Sequence, residues 1–322
     1  MLQRRSQAFR PGTKSNHKAQ FELYVSFCLY INVEYMNPSA ETICMYIEYL
    51  AQNFVSTQSI ANYVSGVRLL HKMAGIPAPN LDSFEVKLMM RACILTIRHR
   101  PLQRQPLSID MLSELVQVVE HCGIYGLVFK VAVLFAFYGF LRQSNLAPKS
   151  PSNFDPSRHT CRQDIFVAKP GLVVLLKWSK TAQSAQTHEL IPLPAIPGSH
   201  LCPVTAYEKM VQQIPTQYPN QPLLVLPQDP VSHHTYTPVT VSWLSRFMST
   251  TLDTLGYDAK LFSLHSLRRS GATAAYKLGV DYMNIKRHGL WSSDSFWAYI
   301  TSDSVSNSPV ASALRQLAHH TK

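Results

Sequence analysis

The chain has 322 residues, 46% of them hydrophobic and 15% charged, with a net charge of +11 at pH 7. That length fits about two domains, and the apolar content excludes a chain that is disordered throughout. The basic excess is spread out: residues 1–106 hold twelve Lys and Arg against six Asp and Glu, and the rest holds eighteen against thirteen, as expected of a protein that grips a polyanion with both halves.

Residues 1–14 read as a flexible basic arm. Four helices follow. Phe21, Tyr24, Val25, Phe27, Cys28 and Ile31 set a helical period from about His17 to Val33. Asn37-Pro38-Ser39 breaks it and opens a second helix over 40–54, with Ile43, Tyr46, Ile47 and Leu50 on one face. Ser56-Thr57 opens a third over 57–74, ended by Gly75 and the prolines at 77 and 79. A fourth spans about 83–99. Short polar joints make this a small helical domain over 15–100. RHRPLQRQPL, around a linker at 101–107, is rich in Pro, Gln and Arg.

A second domain is expected over 108–322. It starts with a helix to about His121, then a run from 123 to 141 that is apolar over nineteen positions apart from Lys130. A lysine at the centre of a membrane span costs about 3 kcal/mol, so the run is read as a buried core helix with no membrane partner. The period then changes. Asp164-Ile-Phe-Val, GLVVLLKW (171–178) and HELIPLP read as strands, with SKTAQSAQT as a turn and Lys180 where strand gives way to turn. Pro203–Ile214 is helical, 215–238 is a Pro-rich connection around a possible strand LLVL, and helices follow at about 240–255, 266–278 and 281–288. PVASALRQLAHH near the end reads as a short amphipathic helix. The fold class is therefore mainly α with a small antiparallel β-sheet (α+β).

The six cysteines show no CxxC or other zinc spacing, the thirteen histidines no metal-binding pattern, and neither GxGxxG nor GxxxxGK[ST] occurs. No metal, nucleotide or small-molecule cofactor is expected. The thiols read as reduced, and the N-terminus lacks an apolar signal core. An intracellular protein is expected, nuclear in a eukaryote and otherwise in the cytoplasm or nucleoid.

The chemistry-bearing stretch is 265–300. His265 and Arg268 are three residues apart, so they share a helix face. Tyr299 follows among Trp291, Phe296 and Trp297. Upstream, Arg142 ends the apolar run. Alone, an HxxR pair is most often an ordinary helix face. With Arg142 and Lys180 ahead of it, the set can hold a phosphoryl group, protonate a leaving oxygen and present a phenol nucleophile. Lys177 competes with Lys180, and Tyr276 and Tyr282 compete with Tyr299.

Taken in order, YGFLRQSNL, WSKTAQSAQTHELIPL, HSLRRSGAT and GLWSSDSFWAYI resemble the motifs of the tyrosine recombinase (phage integrase) family. The box GLWSS-F-YI looks closest to recombinases of eukaryotic mobile elements of the DIRS and Crypton kind. The resemblance implies an N-terminal helical core-binding domain (SAM-like) and a tyrosine recombinase catalytic domain closing on double-stranded DNA. It implies a homotetramer on paired sites and strand exchange through a 3′-phosphotyrosyl link. Arg142 and Arg268 would hold the scissile phosphate, Lys180 would protonate the 5′-oxygen, His265 would assist proton transfer and Tyr299 would attack. Lys14, Lys18, Arg98, Arg100, Arg104 and Arg269 are read as further DNA contacts. Two departures stand out. Asn145 lies three after the first arginine, where the family usually has an acid. Leu290 falls where a His or Trp is usual, leaving Trp291, the favoured residue, or His288 to serve. A domesticated DNA-binding protein that no longer cuts is the alternative; a monomeric, topoisomerase-like enzyme is a third.

Overall fold

The computed structural model describes residues 9, 11–98, 102, 104–178, 188–228, 235–293 and 297. The chain divides into two compact units, 1–102 and 103–322.

The first unit is helical: α1 (Pro11–Tyr30), α2 (Ala40–Asn53), α3 (Thr57–Ala74) and α4 (Phe84–Thr96). α1 begins at Pro11 rather than near His17, so the end of the stretch read as an arm is helical. A proline fits the first turn because its missing N–H has no partner to lose there. Ser39 and Ser83 cap α2 and α4, accepting from Thr42 N and Val86 N. The expected stripe Ile43, Tyr46, Ile47 and Leu50 is fully buried and meets Tyr24, Cys28, Ile60 and Val67.

The second unit is built around α6 (Gly123–Tyr138), with α5 (Ile109–Val119) before it and α7 (Gln143–Leu146) after it. The apolar run forms the core: Val128, Phe129, Val131, Leu134 and Phe135 are at most 1% exposed. By length and composition Ile109–Tyr138 also passes as a membrane span, but so does the core helix of a globular domain. β1 (Ile165–Ala168), β2 (Gly171–Leu176) and β3 (Glu189–Pro194) form an antiparallel sheet in that order. Leu172 pairs with Leu193 and Val174 with Ile191, all buried, so the sheet has one core face. Prolines 192 and 194 are tolerated because β3 is an edge strand.

α8 (Pro203–Gln213), α9 (Val241–Thr254), α10 (Leu264–Lys277) and α11 (Tyr282–His288) complete the unit. One pairing was not legible: β4 (Val225–Pro227) pairs with β5 (Tyr236–Pro238) inside the stretch read as a connection. The stretch read as a linker is, from Arg104 on, fastened to the second unit. Arg104 donates to the carbonyls of Lys260 and Phe262, Gln105 N to Leu261 O, and Leu107 N to Ser270 Oγ at 2.7 Å.

Candidate functional site

Three elements bring the site together. α6 ends at Gly139, and the chain turns through Phe140, whose φ is +47°, to deliver Arg142 at the cap of α7. α10 begins at Leu264, with a reciprocal box between Ser263 and Ser266 at its start. That box places His265 and Arg268 in the first two turns, at the positive end of the helix, where an anion is favoured. α10 lies close against α6: a Cβ on Gly271 would fall 2.1 Å from the Phe137 carbonyl oxygen.

Arg268 is 2% exposed. Its guanidinium donates to the carbonyls of Phe140 and Gly289, the latter at 2.5 Å. The Trp291 ring lies under it, 4.0 Å from Cζ to the ring centroid, a contact worth about 0.5–2 kcal/mol. Gly289 makes that stack possible, since a Cβ there would come within 1.8 Å of the indole. Leu290, at φ +53°, turns the chain so that the ring one residue later faces the arginine. Trp291 is therefore brought to Arg268 by its face. The rival His288 is committed elsewhere, 2.8 Å from the Tyr138 carbonyl and edge-on to Phe140.

His265 stands near Arg268, Arg142 and Arg269. Surrounding protein first, and then those three guanidinium groups, hold its imidazole below the usual histidine range. A neutral imidazole beside two arginines can accept a proton and gains basicity once a phosphate arrives.

Asn145 is 2% exposed and bridges two parts of the site. Its Oδ1 accepts from Arg142 N at 3.2 Å, and its Nδ2 donates to Trp178 O at 3.0 Å. A carboxylate could make the first bond but not the second, because it has no proton to donate. The amide thus ties the Arg142 turn to the chain two residues before Lys180. This link could not be found from spacing alone. Asn145→Ala leaves a buried acceptor and donor unmet and is expected to lower the unfolding free energy by about 1–3 kcal/mol. Urea denaturation checks this; an unchanged midpoint would show the bridge to be idle.

Lys177 is engaged in an ion pair with Asp164 at 2.6 Å, the two side chains 17% and 3% exposed. Lys180, Tyr299 and Arg100 lie outside the described residues. Lys14, Lys18 and Arg98 are exposed. Lys14 and Lys18 are one helical turn apart, and Lys18 pairs with Glu22 at 3.6 Å. Arg104 and Arg269 also do structural work: Arg269 donates to the Arg104 carbonyl at 2.7 Å while Arg104 clips the chain to Lys260 and Phe262.

No family model matches the chain. It is 25% identical over 268 residues to an integrase/recombinase xerD homolog from Selenomonas ruminantium, covering 82% of this chain and 73% of that protein. Its fold is similar to a XerH site-specific recombinase bound to its difH substrate, with a TM-score of 0.55 at 11% identity over 92% of this chain and 76% of the other. It is similar also to a lambda integrase tetramer bound to a Holliday junction, with a TM-score of 0.55 at 12% identity over 91% and 75% of the two chains. The chain thus has the fold of these recombinases, and its sequence is similar to that of the xerD homolog.

Proposed function

We propose that the protein is a site-specific DNA recombinase or integrase. The observation that carries this reading is the convergence of Arg142, His265 and Arg268 at the start of α10, with Arg268 buried and fixed on three sides. Two guanidinium groups are the natural grip for a phosphodiester whose charge grows in the transition state. Tyr299 Oη attacks phosphorus and its proton passes towards His265. The P–O5′ bond breaks as Lys180 protonates the leaving oxygen, which becomes a free 5′-hydroxyl. The 3′-phosphotyrosyl ester keeps the bond energy, and attack by another strand's 5′-hydroxyl reverses the step. A phenol with a pKa of about 10 is a weak nucleophile at neutral pH, and the cationic cluster lowers that barrier.

Neither departure from the family pattern speaks for a protein that binds DNA without cutting it. Asn145 braces Arg142, and Trp291 packs on Arg268. The tetramer and the Holliday-junction route are supported by the likeness to the lambda integrase tetramer. The finer kinship with DIRS- and Crypton-type elements rests on the box at 289–300. A protein that works on DNA acts inside the cell; a nuclear location applies if the host is a eukaryote.

The test is a supercoiled plasmid carrying two directly repeated cognate sites, drawn from the termini flanking the gene. Two product circles are expected in EDTA and without ATP. Strict dependence on Mg²⁺ or ATP, or intact plasmid on every terminal sequence, counts against the reading.

A further inference from the structure

A second site lies at the other end of α6. The helix rises about 1.5 Å per residue, which puts its N-terminal turn roughly 20 Å from the Arg142 end. There a cavity of about 570 Å³ opens between that turn, the 198–202 loop and α8. Its lining holds three cationic or titratable nitrogen groups, on Lys130, His200 and Lys209, against one carboxylate, Glu120.

Lys130 is unusual in its place. It sits 8% exposed within the most apolar helix of the chain, and its ammonium meets Glu120 at 2.5 Å. Such a pair adds little stability over apolar packing of the same volume. Lys130 first, by its hydrogen bond and charge, and then His200 and Lys209 hold the Glu120 carboxyl below its ordinary range. The His200 ring is oriented by Ser113, Nε2 to Oγ at 2.8 Å. Gly123 and Gly198 leave backbone bare in the wall, and no side chain caps the start of α6. Once Lys130 has neutralised Glu120, Lys209, His200 and the positive end of the helix remain as a net anion-attracting set.

We propose that this cavity binds a multivalent oxyanion of the phosphate class, held by Lys209 and His200 beside the Lys130–Glu120 pair. The inference does not depend on the recombinase reading. Two sources share that chemistry, a free anion and a DNA backbone phosphate, and one experiment separates them. Inorganic pyrophosphate is titrated by calorimetry, in a phosphate-free buffer, into the full chain carrying Arg142→Gln, which removes an anion ligand from the other site. One saturable equivalent is expected, with chemical-shift changes at the His200 ring in NMR. Adding Lys209→Ala, at an exposed position that leaves the core untouched, is expected to weaken binding at least tenfold with an unchanged melting curve. Displacement of pyrophosphate by a short duplex assigns the site to the DNA backbone; persistence beside the duplex assigns it to a free anion. Absence of saturable binding, or equal affinity with and without Lys209, overturns the proposal.

Discussion

Arg268→Lys reduces DNA strand cleavage by about 10³-fold while leaving duplex binding within a few-fold. The guanidinium does two things at once that an ammonium cannot. Its planar fork donates in two directions, to the carbonyls of Phe140 and Gly289, and its face lies on Trp291. A lysine replaces the two-nitrogen fork by a single point donor and leaves the indole without a flat partner. The same change is expected to lower the unfolding free energy by about 2–4 kcal/mol. Single-turnover cleavage of a nicked duplex and a urea melt read the two effects separately. Cleavage within tenfold of the native protein would show that Arg268 only holds the turn in place.

Tyr299→Phe is expected to have the larger effect, a loss of roughly 10⁴-fold or more, because it would remove the oxygen proposed to attack. Stability and DNA affinity are expected to stay unchanged. The two rival phenols give a sharp contrast. Tyr276 and Tyr282 both lie against Trp297, with ring centroids 6.2 and 6.1 Å away, and each packs with that ring rather than standing among the arginines. Tyr276→Phe and Tyr282→Phe are therefore expected to keep cleavage within a few-fold. Full loss in either, with Tyr299→Phe active, would move the nucleophile.

The helices of both units were legible because their apolar stripes follow a 3.6-residue period and their ends carry Ser and Gly signals, as at Ser39, Ser83 and Gly75. The small sheet was legible from its β-branched run and the alternation that buries Leu172, Val174 and Leu176. The pairing of β4 with β5 was not, since three-residue strands carrying Pro227 and Pro238 have no period to detect. The docking of Arg104 was hidden for a different reason: it is held by backbone carbonyls more than 150 positions away, and polar, Pro-flanked composition says nothing about such partners. In the candidate site, residue types and order pointed to Arg142, His265 and Arg268. What spacing could not show is how they are held. The left-handed turn at Phe140, the bare backbone at Gly289 and the two-way amide of Asn145 are matters of geometry. Leu290 looked like a defect in the motif. Its positive φ instead swings Trp291 beneath Arg268, so the displaced tryptophan is the seat of the second arginine.

The most direct measurement is the mapping of a covalent adduct. A nicked duplex bearing the cognate site traps the protein after cleavage, because the short 5′-ended fragment diffuses away and the reverse step stops. Protease digestion and mass spectrometry of the trapped complex should then yield a single peptide carrying a nucleotide 3′-phosphate on Tyr299, absent from Tyr299→Phe. A nucleotide on any other residue, or a 5′-phosphate link, would contradict the phosphotyrosyl chemistry assigned to this chain.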